Sequence, residues 1–305
     1  MEHILDQGDV DVSGVLLGGE PTANIDPVKH RLTLVEGNLC DGQFVDRVFR
    51  ELRPDYVFHL AAQANVHLSL SSPADTLVNN VTGQLCVLEA ARKMATPPRV
   101  LTIGSADEYG LVHPDEVPVR ETNPLRPTSA YSVSKIAQDM LGLQYFLSYR
   151  LPVVRVRPFN HIGPRQSEAF VTSSFAKQIA AAELGLGPTV VKVGNLEARR
   201  DFTDVRDMVR AYWLALEHGR PGEVYNLGSG RSRRIREALD LLVSRSRVPI
   251  TVEVDPERLR PLDVPDVVCD SSLFRSITGW QPTITFEESL ADLLDYWRAR
   301  LRRAV

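Results

Sequence analysis

The sequence predicts an α/β protein built on a doubly wound parallel sheet, with a smaller α+β lobe, and three observations carry this. Over the first half, short apolar runs alternate with helical stretches, which is the pattern of repeated strand, helix, strand units. Val100-Leu101-Thr102-Ile103-Gly104 has the nearly unbroken apolar character of a strand covered on both faces. After residue 165 the pattern loosens into helices with short strands between them.

Taken in order, strands are expected at 10–17, 32–36, 56–61, 100–104 and 153–156, with helices at 41–52, 75–94 and 128–149. Residues 18–27 have loop composition and no periodicity. Beyond 165, helices are expected at 168–185, 203–218, 234–245 and 286–303, with strands at 190–193, 224–226 and 251–254. Residues 1–165 thus form the sheet domain, and 166–305 mainly form the smaller lobe, interleaved with the last strands of the first domain.

At 305 residues, 43% hydrophobic and 24% charged, the chain can bury a large core. Cys40, Cys86 and Cys269 lie far apart without metal-type spacing, so no disulfide framework or metal site is expected and a reducing compartment is. No apolar run approaches the roughly 18 residues of a membrane span, and no export signal opens the chain. A cytoplasmic location is expected. A net charge of −4 argues against a nucleic-acid partner, whose binding domain is usually basic.

The chemistry is concentrated in Tyr131-Ser132-Val133-Ser134-Lys135. Residues four apart share a helix face, and an ammonium beside a phenol favours phenolate, so the pair can handle a proton. Ser105 follows the strand at 100–104, which places a hydroxyl at the carboxyl end of the sheet, where ligands bind in such folds. A second strand at 153–156 runs into Pro158-Phe159-Asn160-His161-Ile162-Gly163-Pro164.

With these segments the chain resembles the extended short-chain dehydrogenase/reductases that act on sugar nucleotides. Residues 157–164, 193–207 and 258–265 look like those of GDP-6-deoxy-D-mannose (GDP-D-rhamnose) reductases, relatives of the GDP-mannose 4,6-dehydratases. The resemblance implies a Rossmann-like NAD(P)-binding domain, NADPH or NADH as cofactor, a GDP-sugar substrate and a homodimer or homotetramer. Compared with that family, the first strand and the glycine-rich loop are missing before residue 10, where residues 1–8 look like the end of the first helix. Either the natural start lies upstream, or this is a short form with weak cofactor binding. Exposed sheet edges, lower stability and aggregation are expected in the absence of a central strand.

By resemblance, Ser105, Tyr131 and Lys135 are the catalytic residues. Tyr131 gives a proton to the C4 carbonyl oxygen, Ser105 hydrogen-bonds that oxygen, and Lys135 holds the nicotinamide ribose and lowers the tyrosine pKa. Asn38, Leu39, Leu60, Ala61, Ala62, Asn80 and Ile162 are the further cofactor contacts. Leu17 stands where NADP users often have arginine, which leaves the choice of cofactor open. Asp107, Asn160, Lys177, Gln178, Lys192, Arg200 and Arg260 join Ser105 as substrate contacts, Arg200 and Arg260 because guanidinium groups bind phosphate bidentately. Arg199 is expected to reach a neighbouring subunit's cofactor, and His161 is given no role. Dehydratases carry an acidic or polar residue and then glutamate after the catalytic threonine. Ala106 and Asp107 occupy those positions here, which favours a reductase over two alternatives, a dehydratase or epimerase and a non-catalytic sugar-nucleotide binder.

Overall fold

The computed structural model describes residues 1–19, 21–259 and 266–303. The chain runs through α1 (Glu2–Leu5), β1 (Val12–Leu16), β2 (Leu32–Glu36), α2 (Gly42–Leu52), β3 (Tyr56–His59), α3 (Val66–Ser71), α4 (Pro73–Arg92), β4 (Arg99–Ile103), α5 (Ala130–Tyr149) and β5 (Val153–Pro158). It continues through β6 (Asn160–Ile162), α6 (Val171–Glu183), β7 (Val190–Val193), β8 (Arg199–Asp204), α7 (Val205–His218), β9 (Val224–Leu227), β10 (Ser232–Arg234), α8 (Ile235–Ser244), β11 (Thr251–Val254), β12 (Asp266–Val267), α9 (Ser272–Thr278) and α10 (Phe286–Arg302).

Local chemistry sets the long helices. Asp41 caps α2 by accepting from the backbone N–H groups of Gln43 and Phe44, and Ser129 caps α5 by accepting from Ser132 N–H, so donors that a helix leaves unpaired are satisfied. Pro73 opens α4, where its missing N–H removes no bond.

The main sheet has the order β3-β4-β5-β9, and every pair is parallel. Its two faces are both covered. Val100 and Val153 pack with Phe44, Leu88 and Tyr145 from α2, α4 and α5. Leu101, Ile103, Val154 and Val156 pack on the other side with Met208 and Phe274 from α7 and α9. This is the doubly wound arrangement, and its fourth strand comes from beyond residue 165. A second core lies among α6, α8 and α10, with Phe175, Ile179, Leu239, Leu293 and Trp297 at its centre.

β1 and β2 form a separate parallel pair, and among the described residues β1 and β3 each hydrogen-bond a neighbouring strand on one side only. The strands β6 and β8 pair with each other where sequence pattern predicts no strand, because Asn160-His161-Ile162 and Arg199-Arg200-Asp201 lack apolar alternation. None of the described helices is long and apolar enough to cross a membrane.

Candidate active site

The carboxyl ends of β3, β4 and β5 lie side by side, since His59 pairs Thr102 and Ile103 pairs Val156. The residues that follow each strand therefore converge. β3 ends at His59, two residues earlier than expected, and releases Leu60 and Ala61 to the surface with Ala62 half-buried. β4 delivers Ser105, and β5 leads to the exposed Asn160.

Ser105 caps a single 3-10 turn, Ala106–Glu108, with its hydroxyl accepting from Asp107 N–H at 3.1 Å. The same hydroxyl meets the phenol of Tyr131 as a hydrogen-bond partner. Tyr131 is 8% exposed. Burial raises its pKa, the nearby Asp107 carboxylate adds to the rise, and the Ser105 bond opposes it. The phenol is therefore held protonated at neutral pH.

Lys135 stands one helical turn on and is 5% exposed. Its Nζ donates to the Ile103 carbonyl at 2.8 Å and lies 6.0 Å from the centre of the Tyr131 ring. Burial lowers its pKa to about 8, with Glu108 opposing. The expectation that Lys135 lowers the tyrosine pKa is thus corrected: desolvation of the phenol outweighs it, and the ammonium is directed to a backbone carbonyl. Beneath them His59 is buried, and desolvation followed by the Lys135 charge takes its pKa to about 3, so its ring is neutral.

Several of the expected contacts are tied into the framework. Asn80 is 1% exposed; its amide accepts from Gln63 N–H at 2.7 Å and donates to Gln63 O and to Ser134 Oγ at 2.9 Å. Ser134 Oγ in turn donates to Tyr131 O at 2.7 Å, so Asn80 ties the loop after β3 to the helix bearing Tyr131. The side chain of Ile162 is 2% exposed and packs in the second core. Asn38 is exposed and accepts from Cys40 N–H at 2.9 Å, while Leu39 is half-buried against the α2 and α4 core. Leu17 is exposed beyond β1.

Of the expected substrate contacts, Asp107 is exposed beside Tyr131. Gln178 and Lys192 line a cavity of about 300 Å³ with Ala181, Pro188, Val190 and Glu253. Gln178 is also a fastener, accepting from Lys192 N–H at 2.9 Å and donating to Lys192 O at 3.2 Å. Lys177 lies 3.0 Å from Glu168 Oε1 and over the Trp297 ring. Arg200 is half-buried on β8 and donates to Arg199 O at 2.7 Å. Arg260 lies outside the described residues. Arg199 donates to Ser232 Oγ at 2.8 Å and lies 3.6 Å from Asp266 within its own chain. His161 is exposed, with Nδ1 3.4 Å from Phe159 O. Among the described residues no His, Cys, Asp and Glu cluster fits a metal ion.

One group was missed by the sequence reading. Glu108, the acid after Asp107, turns inward to Arg157 at 3.0 Å, and Arg157 and Arg155 both pair with Asp139. The signal was present in the spacing Tyr131, Lys135, Asp139, three residues on one face of α5, and in two arginines alternating along a buried strand.

Residues 19–293 match the family model described as GDP-mannose 4,6 dehydratase. GDP-6-deoxy-D-mannose reductase of Pseudomonas aeruginosa is 38% identical, over 90% of this chain and 89% of that protein. GDP-mannose 4,6-dehydratase of Yersinia enterocolitica is 30% identical, over 85% of this chain and 77% of that protein. The solved structure of RMD from Pseudomonas aeruginosa complexed with NADPH superimposes with a TM-score of 0.85 at 33% identity, covering 95% of this chain and all of that one. By both the family model and the extent of these matches, the chain belongs to the GDP-mannose 4,6 dehydratase family.

Proposed function

We propose that this chain is an NAD(P)H-dependent reductase that converts the C4 ketone of GDP-4-keto-6-deoxy-D-mannose to the alcohol of GDP-6-deoxy-D-mannose (GDP-D-rhamnose). The observation that carries the reading is the inward turn of Glu108. Elimination of water across C5 and C6 needs both a base and an acid beside the sugar. Here Ala106 has no proton chemistry, Glu108 is buried in an ion pair, and of the three residues after Ser105 only Asp107 faces outward. Ketone reduction needs one acid, and a protonated Tyr131 supplies it.

The surface beyond β3 fits a dinucleotide: Leu60 and Ala61 are exposed, and Ala62 adds no bulk where backbone must approach the ligand. When bound, NADPH or NADH supplies hydride to C4. Tyr131 gives its phenolic proton to the oxygen at C4, and Ser105 hydrogen-bonds that oxygen as its charge develops. Lys135 orients the nicotinamide ribose and keeps positive charge near the phenolate left behind. The relatives named as a GDP-6-deoxy-D-mannose reductase and as an NADPH complex support this assignment. In the same reading Asn160 faces the sugar, Arg200 the diphosphate, and the cavity beside Gln178 and Lys192 belongs to the substrate side.

The test is to mix the protein with NADPH or NADH and GDP-4-keto-6-deoxy-D-mannose, follow cofactor absorbance and identify the sugar product. Stoichiometric oxidation with formation of GDP-6-deoxymannose is expected. Turnover of GDP-mannose to the 4-keto sugar with catalytic NAD would instead establish the dehydratase.

A further inference from the structure

We propose that Glu108 is a positioning residue that aims the Ser105 hydroxyl by holding the Ser105 backbone from beneath; the catalytic part of this claim rests on the reductase reading. The Glu108 side chain is 0% exposed. Its Oε1 accepts the Ser105 backbone N–H at 2.8 Å, and its Oε2 lies 3.0 Å from Arg157 Nε. The space is shaped for this carboxyl, since a Cβ on Gly104 would collide with Oε1.

Arg157 is itself fixed on several sides. It donates to Asp139 Oδ2 at 2.5 Å, to the Tyr109 hydroxyl at 3.0 Å and to Glu121 O at 3.2 Å. Asp139 lies on α5, the helix that carries Tyr131 and Lys135. One buried charged network thus runs from beneath Ser105 to the helix of its reaction partners. The direction of a serine hydroxyl follows its backbone; here the Ser105 carbonyl accepts from Glu108 N–H at 3.1 Å, and the Ser105 N–H is what ties that backbone to the Glu108 carboxyl. Burying a carboxyl is costly unless it is paired and bonded. An apolar residue would fill the same volume without gripping the amide.

A plain capping box makes the same bond, so the test must read the reaction as well as the fold. Glu108→Gln keeps an acceptor oxygen at the same reach for the Ser105 N–H, so its kcat is expected to stay within about threefold of the wild type, the lost charge beside Arg157 showing as lower stability instead. Glu108→Asp keeps the charge but is one methylene short. Its kcat is expected to fall by about 10²-fold, the scale of an ångström of misplacement, with KM for the GDP sugar nearly unchanged. Glu108→Ala is expected to match the aspartate variant and gives a second comparison if that one folds poorly. In a Ser105→Ala background the aspartate substitution is expected to add less than about threefold, because residues acting through one another are not additive. Equal losses in both backgrounds, or an aspartate variant as active as the glutamine one, overturn the proposal.

Hydrogen exchange at the Ser105 amide reads the grip without turnover. It is expected to be slow in the wild type and Glu108→Gln and fast in Glu108→Asp and Glu108→Ala; equal rates throughout also overturn the proposal. A wild type that leaves the GDP sugar untouched would count against the reductase reading alone, and the exchange order would still decide whether Glu108 holds Ser105.

Discussion

Tyr131 and Lys135 are each pushed toward the neutral form by burial, and this divides their roles. The phenol stays protonated, which suits an acid that gives its proton to a ketone oxygen. Replacing Tyr131 by Phe removes only the hydroxyl that carries that proton, so turnover is expected to fall by about 10²–10⁴-fold with the melting temperature nearly unchanged. Activity retained in that variant would remove Tyr131 from the donor role. Lys135 has the narrower pH range, with its pKa lowered to about 8. The value of kcat/KM is expected to fall as pH rises through about 8, as the ammonium that orients the ribose is lost. Stability has the opposite sign. A lysine whose folded pKa lies below its ordinary 10.5 penalises the folded state fully below about 8 and not at all above 10.5. The wild type is therefore expected to gain melting temperature relative to Lys135→Met as pH rises across that window; a constant gap would show that the ammonium carries no such penalty.

At the scale of elements, α5 and β5 are joined by charge as well as by packing. Asp139 on α5 accepts from Arg155 at 2.9 Å and from Arg157, and all three side chains are almost wholly buried. Removing one partner of a buried pair leaves an uncompensated charge, so Asp139→Ala is expected to cost about 3–5 kcal/mol. Urea unfolding measures it, and a loss below about 1 kcal/mol, the worth of an exposed pair, would show that the arginines find other partners. This knot also marks where sequence reading stopped. Runs such as Val100-Leu101-Thr102-Ile103 declare a buried strand because apolar burial is a local, periodic signal. The strand of residues 32–36 and the helix of 42–52 were legible for the same reason. Tyr131, Lys135 and Ser105 were legible through their spacing and their place after a strand. The inward turn of Glu108 was not, because whether an acid faces solvent or an arginine depends on a residue 49 positions away in the chain. Asn80 and Gln178 show a related limit: an amide bonds a neighbouring backbone or a ligand equally well, and the backbone bonds that each makes here depend on residues distant in the chain.

For the whole molecule, two surfaces matter beyond the site. β1 and β3 each keep one open hydrogen-bonding edge among the described residues, and such edges are templates for pairing with another chain. Light scattering during a slow thermal ramp is expected to rise before the main sheet melts; a clean cooperative transition without scatter would show that these edges are protected. The second surface is the outer face of α4 and α5. Val133, Met140 and Leu147 recur every seven residues on α5 and are exposed, as are Val78 and Leu85 at the same spacing on α4. An apolar seam of that length on two packed helices matches the surface that a second copy of the chain would cover, giving a four-helix contact. Contiguous apolar surface of this kind marks an interaction face. Charge placed at its centre must then be desolvated on association, so the wild type is expected to run as a dimer by light scattering coupled to size exclusion, and the Met140→Glu, Leu147→Glu double variant as a monomer. Both side chains point away from the core, so the variant should fold with an unchanged circular dichroism spectrum. A wild type that is monomeric, or a double variant of unchanged mass, would remove this face as the contact.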